Sequence, residues 1–196
     1  MYRIESALLY VDQPKLSLGE MAAALNEKLA EFSIVLNGEA TDATDRVVFS
    51  GAGFCVQISV RAQGLPAEGF LHALESPLSA PFKGMLSDTL FRHKWHVLIG
   101  VSYSQPASDI STLDKLNALR VAHAAGGTLA ATHRPCAVHW RQSNQLITGA
   151  QYELISQDAT PWALFAQARL SDVTTEDRHP SKVGLRLDEA AEFVGR

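Results

Sequence analysis

At 196 residues, with 46% hydrophobic and 19% charged side chains, the chain has the balance of a globular protein and the length for one large domain or two small fused ones. Its net charge of −4, from 17 Lys plus Arg against 21 Asp plus Glu, and the lack of any basic block argue against nucleic-acid binding. No run approaches the ~18 apolar residues that a membrane span needs, and the opening "MYRIESALLYVDQP" carries no small-residue cleavage site of a secretory signal; the cytoplasm is the expected compartment, with Cys55 and Cys136 as reduced, unbridged thiols.

In chain order, "IESALLYV" at residues 4–11 is a β-branched and aromatic run stopped by "DQP", the signature of a strand. "SLGEMAAALNEKLAEF" then spaces Leu18, Met21, Ala22, Leu25, Leu29 and Phe32 at three- and four-residue steps, which predicts a helix with Ser17 as N-cap and Glu20 as its box partner. In "RVVFSGAGFCVQISVRA", Phe54, Val56, Ile58 and Val60 alternate with Cys55, Gln57, Ser59 and Arg61, so two strands meet at Gly51-Ala52-Gly53 as a hairpin. The same three residues are not a phosphate loop, because a strand and not a helix N-terminus follows them.

"LPAEGFLHALESPL" predicts a short helix from Pro66, and Pro77 and Pro81 then break the chain into a joint. Beyond it, "KWHVLIGVSY" reads as a strand and "ISTLDKLNALRVAHAA" as a helix with Ile110, Leu113, Leu116 and Val121 on one side, ended or kinked at Gly126-Gly127. "CAVHWRQ" reads as a further strand. "ATPWALFAQARL" has both a helix start at Thr160-Pro161 and strand alternation from Trp162 to Leu170, with strand the preferred reading. "LDEAAEFVGR" predicts a closing helix with Asp188 and Glu189 near its N-terminus.

Each half is thus written strand, helix, strand, strand, helix. This predicts an α+β protein of two ferredoxin-like (β-α-β-β-α) units in tandem, with mixed or antiparallel sheets covered by helices. The first unit spans residues 1–76, a Pro-rich joint with a short helix spans 77–92, and the second unit spans 93–196; the two are expected to pack as one body.

Three stretches, "RVVFSGAGFCVQISVRAQGLPAEGF", "FRHKWHVLIGVSYS" and "RPCAVHWRQSNQLI", together with the closing "VGLRLDEAAEF", resemble successive blocks of an uncharacterised bacterial family, domain of unknown function 4261. The resemblance covers most of the chain from Arg46 onwards. It implies no activity, cofactor or catalytic residue.

Candidate chemistry concentrates around Trp95. If a strand begins near Lys94, Trp95, Val97, Ile99 and Val101 share one face and His96, Leu98, Gly100 and Ser102 the other. His93 and His96 then point to opposite faces and cannot jointly hold a metal, and no recognised ligand spacing occurs elsewhere. The expected arrangement is Trp95 in the core with His93 and Lys94 at the wet strand end. His96 and His139 fall on strands expected to lie near one another, while Arg134 and Arg141 flank "PCAVHW" as strand-end or anion-binding cations. Asp109 and Ser111 are the caps expected for the following helix. No G-x-S-x-G elbow and no H-E-x-x-H helix is present.

Two function classes follow. The first is a non-enzymatic module for protein association, as a homodimer or with another protein, using sheet edges or an inter-unit groove. The second is a small-molecule binder or enzyme whose groove between the units is lined by His96, His139 and Arg141. No catalytic residue, metal or cofactor is assigned in either.

Overall fold

The computed structural model describes residues 3–39, 43–103, 109–165, 167–173 and 182–188. Its elements are β1 (Arg3–Tyr10), α1 (Leu18–Leu29), β2 (Asn37–Glu39), β3 (Arg46–Gly51), β4 (Phe54–Arg61), α2 (Lys83–Arg92), β5 (Trp95–Tyr103), α3 (Thr112–Thr132), β6 (Ala137–Trp140), β7 (Gln145–Thr148), α4 (Gly149–Ile155), α5 (Trp162–Phe165), β8 (Gln167–Val173) and β9 (Lys182–Asp188). The first seven strands form one sheet in the order β2-β3-β4-β5-β1-β6-β7, antiparallel at every pairing, and β8 with β9 makes a separate antiparallel hairpin. The protein is therefore α+β.

Strands of the two halves interleave within that sheet. β1 lies between β5 and β6, and β5 lies between β4 and β1. Two antiparallel steps return a strand to its starting direction, so β1 runs parallel to β4 around β5, and β5 parallel to β6 around β1. Helices α1 and α3 occupy the two long connections, as a crossover between such strands requires.

Side-chain alternation decides the layers. Ile4, Leu8 and Tyr10 of β1, Phe54, Val56, Ile58 and Val60 of β4, and Val97, Ile99 and Val101 of β5 all enter one core under α1, α3 and α4. The opposite parity of β1 and β6, through Ala7, Leu9 and Ala137, packs against Phe70, Ala73 and Leu74 of the 3-10 turns Ala67–Phe70 and Ala73–Glu75 and against Leu86 and Leu90 of α2. Residues 66–92, read from sequence as a short helix and a proline-broken joint, thus supply a second covering layer. The prolines keep its first part in single turns, and a regular helix begins only at Lys83.

The β3–β4 hairpin turns as expected at Ala52-Gly53, with φ of 49° and 81°, both in the left-handed region that suits the twist of the flanking strands. Ser17 occupies the N-cap position of α1, but its side chain makes no capping bond. Instead Asn26 on α1 brackets Leu36, accepting from its N–H at 2.8 Å and donating to its carbonyl at 2.9 Å, which fastens α1 to the chain entering β2.

The Gly126-Gly127 pair does not stop α3, which runs on to Thr132. A Cβ at Gly126 would stand 2.2 Å from the Tyr152 hydroxyl of α4, so the glycine is where α4 comes against α3. The one-sided reading of α3 also changes: Leu113 is 61% exposed, whereas Ala118 to Ala130, save Arg120, are buried around the whole helix. Small residues permit this, letting α1, α4 and the sheet all close on the helix. Ser111 caps α3 by accepting from the Asp114 N–H at 3.1 Å.

Residues 161–170 divide between the two readings, with a turn of helix at Trp162–Phe165 followed by β8 from Gln167. The strand of the second half that pairs with β6 is instead β7. Residues 182–188 form β9, so Leu187 and Asp188, with which the closing helix was expected to begin, are strand, and the rest of that stretch, 189–196, lies outside the described residues.

A candidate ligand cleft between alpha1 and alpha3

The face assignment around Trp95 holds along β5, but the environment of its histidines differs from expectation. His93 is buried at 5% exposure, not at a wet strand end; its Nε2 accepts from the Leu65 N–H at 2.7 Å, so Nδ1 carries the proton and faces the Thr89 carbonyl at 3.3 Å. His96, 4% exposed, donates from Nδ1 to the Gln63 carbonyl at 2.6 Å. Burial pushes its pKa below the ordinary histidine value, opposed by that hydrogen bond, with His93 and Arg61 adding to the depression.

His96 and His139 are not on paired strands. His96 stands opposite Leu9 and His139 opposite Ala7, so β1 runs between them, and two strand spacings across the sheet plus two residues along it, about 12 Å in all, separate them. His139 donates from Nε2 to the Asn144 side chain at 3.3 Å and meets the Phe70 ring edge-on at 4.9 Å. Burial lowers its pKa, against the Asn144 bond and with the Arg141 charge. The Arg141 guanidinium is exposed and ion-paired with Glu5, which Arg3 holds from its other oxygen at 2.9 Å. His139 and Arg141 are neighbours on one face, His96 is apart from both, and each of the three already has a local partner.

A different histidine and arginine line a cleft between the halves. Ala24, Glu27 and Lys28 of α1 and Glu31 of the 3-10 turn that follows it (Ala30–Phe32) recur at three- and four-residue steps along one side; on α3, Arg120, His123 and Ala124 share one face. Phe32 and the turn Ser156 to Ala159 after α4 close a cleft of about 400 Å³, within the range of small-molecule sites.

His123 forms the inner wall. It is 4% exposed, with the rings of Tyr152, Phe165 and Trp140 edge-on at 5.8, 6.1 and 6.4 Å. Its Nε2 lies 3.0 Å from the Asp158 carbonyl, an acceptor only, so Nε2 holds the proton and Nδ1 presents a lone pair. Among the described residues that Nδ1 has no hydrogen-bond partner. Burial depresses the pKa to about 4, against the Asp158 carbonyl bond and carboxylate and with the Lys28 charge, so the ring is neutral at physiological pH.

Arg120 is fixed at the cleft edge. Its guanidinium lies 4.1 Å over the Phe32 ring, Nε donates to Thr160 at 3.0 Å, and Nη1 donates to Asn117 at 3.1 Å. Farther along the α1–α3 seam a second hollow of about 320 Å³ is lined by Met21, Ala24 and Thr128, and the buried Thr128 hydroxyl also has no partner among the described residues.

A general base needs a pKa near the working pH and a proton within hydrogen-bond reach; Nδ1 of His123 has neither among the described residues. Among these residues no group of three His, Cys, Asp or Glu side chains is placed to hold a metal ion, Cys55 and Cys136 are free thiols, and no helix is long and apolar enough to cross a membrane.

Sequence reading missed His123 because it was treated as one more position on a helix with a single buried side. The available signal was a lone imidazole in "RVAHAAGG", a helical run too small and apolar throughout to turn any side to water. Comparison with family models, curated proteins and solved structures gave no match for this chain.

Proposed function

We propose that this chain is a non-enzymatic binding module that seats a small molecule between α1 and α3. The observation that carries the reading is a cleft of about 400 Å³ between the two halves, lined by Glu27, Lys28 and Glu31 from one side and by Arg120 and Asp158 from the other. His96, His139 and Arg141, expected from sequence to line a groove between the halves, do not line this cleft; His123 and Arg120 do.

The underlying plan we propose is an interleaved pair of β-α-β-β-α units: β1, α1, β3, β4 and α2, then β5, α3, β6, β7 and α4. The element order supports it. The cytoplasm is the compartment we propose, in keeping with two unbridged cysteines. Membership of the family of unknown function remains part of the proposal, and it brings no ligand with it.

Thermal-shift screening of the full chain against a metabolite panel tests the binding reading, since a ligand that binds only the folded state raises Tm. Hits are expected to lose their shift in Ala24→Phe, which fills the cleft from the partly exposed side of α1. A panel without hits, or shifts that survive in that variant, overturns the reading.

Protein association is a second reading, favoured by Phe82 at 39%, Met85 at 53% and Phe91 at 81% exposure on and beside α2. Light scattering at rising concentration tests its self-association form: a mass that stays at 21.3 kDa rejects a homodimer.

A further inference from the structure

We infer that His93 and His96 form a pH-sensitive latch on residues 62–66, closed while the rings are neutral and opened at Leu65 when His93 gains a second ring proton. Both belong to the stretch "FRHKWH", which contributes nothing to the cleft, and the latch stands independently of that site.

The loop between β4 and the 3-10 turn Ala67–Phe70 runs against both imidazoles. His93 and His96 are buried, whereas Ala62, Gln63 and Gly64 of the loop are exposed. The chain passes so close at Gly64 that a Cβ there would stand 3.1 Å from the His93 carbonyl and 3.7 Å from its Nε2. The two rings hold this loop in opposite senses. His96 donates from Nδ1 to the Gln63 carbonyl at 2.6 Å, a bond that the neutral and the protonated ring make alike. His93 accepts at Nε2 from the Leu65 N–H at 2.7 Å, with Nδ1–H facing the Thr89 carbonyl at 3.3 Å. A second proton on His93 has only Nε2 to occupy. There N–H meets N–H, and the Leu65 bond is lost.

Charge acts in the same direction. Arg61 of β4 stands opposite His96 in the strand register and is paired with Asp45 at 3.6 Å, and Arg92 and Lys94 flank His93 in the chain. Burial disfavours the charged form of His96, against its Gln63 bond, and the neighbouring His93 and Arg61 add to that. Protonating the rings thus gathers like charge beneath the loop, and opening the loop admits water to it. The closed form favours neutral imidazoles, so the latch holds above about pH 6.5, the ordinary histidine value, and loosens as pH falls below it. What it holds is the entrance to the covering layer: Leu65 leads through Pro66 into the turn whose Phe70 packs with Ala7, Leu9 and Ala137.

Amide hydrogen exchange of the ¹⁵N-labelled full chain reads the latch directly, as protection factors that remove the intrinsic pH dependence of exchange. Between about pH 7.5 and about pH 5 we expect the Leu65 protection factor to fall at least about tenfold, in step with protonation of the His93 ring nitrogens observed in the same sample. Ile99, fully buried in β5 between β1 and β4, should keep its protection over that range. His93→Gln presents Leu65 with an amide oxygen that does not titrate, so its Leu65 amide should stay protected throughout. Should that variant fail to fold, the unaltered protein decides by itself. Leu65 protection that is flat with pH, that falls without protonation of His93, or that falls together with Ile99 as the whole fold is lost overturns the inference, and so does an equal fall in folded His93→Gln.

Discussion

The histidines on the two faces of the sheet differ in what surrounds their unused nitrogen. On the face covered by α2 and the 3-10 turns, His93 has both ring nitrogens hydrogen-bonded, whereas His96 and His139 each have one, to the Gln63 carbonyl and to the Asn144 side chain. On the face covered by α1, α3 and α4, His123 also has one bonded nitrogen, but its Nδ1 is sealed from solvent without a partner among the described residues. Burial and a depressed pKa are common to His96, His139 and His123, so neither marks a site.

The largest effect that would break this contrast is at Trp140, fully buried on the His123 side and stacked on Phe165 at 5.6 Å and 24°. Trp140→Ala should cost about 4 kcal/mol in urea unfolding, from lost burial and the cavity left behind. A cost under ~1 kcal/mol would mean that the wall behind His123 is loosely packed.

Acid sharpens the comparison. A histidine that stays neutral in the fold until about pH 4 but titrates near 6.5 when unfolded contributes nothing to the pH dependence above 6.5. Below that, the unfolded chain takes up a proton that the folded one refuses, so stability falls as pH drops from 6.5 towards 4. His123 alone should account for up to about 3 kcal/mol of that fall. His96 and His139, also depressed, add in the same direction. Chemical denaturation at stepped pH should give a shallower profile for His123→Phe, and an unchanged profile would show that this ring is not held neutral.

Ser79 offers a smaller test on the other face. Its hydroxyl both donates to the Leu146 carbonyl and accepts from the Leu146 N–H at 3.3 Å, so one side chain occupies the open edge of β7. Ser79→Ala should cost about 1–2 kcal/mol and speed amide exchange at Leu146. Arg141→Ala should change stability least, by no more than about 0.5 kcal/mol, because the Arg141 side chain is 69% exposed in its pair with Glu5. A loss above ~2 kcal/mol would restore Arg141 as a residue of structural weight.

Much of the sheet was legible because strands advertise themselves through parity. Val97, Ile99 and Val101 on one face and His96 and Leu98 on the other follow from local alternation, and so does the Ala52-Gly53 hairpin. The candidate site was not legible in the same way. Arg120 and His123 are three apart on α3, but their significance depends on Glu27, Lys28 and Phe32, almost a hundred residues away, and on the turn after α4. The Gly126-Gly127 pair misled for a related reason: locally it reads as a stop, and only Tyr152 of α4 explains it as a point of close approach.

Local chemistry along the chain determined the α+β class, the alternation of most strands, and the presence of α1 and α3. Those properties rest on interactions among near neighbours, which the order of residues states directly. Tertiary structure alone decided that β1 and β5 exchange places between the halves, that residues 66–92 form a covering layer, and that the Nδ1 of His123 is sealed in the core without a partner among the described residues. Such outcomes depend on which distant groups arrive to satisfy each donor and acceptor, and no local pattern encodes that arrival.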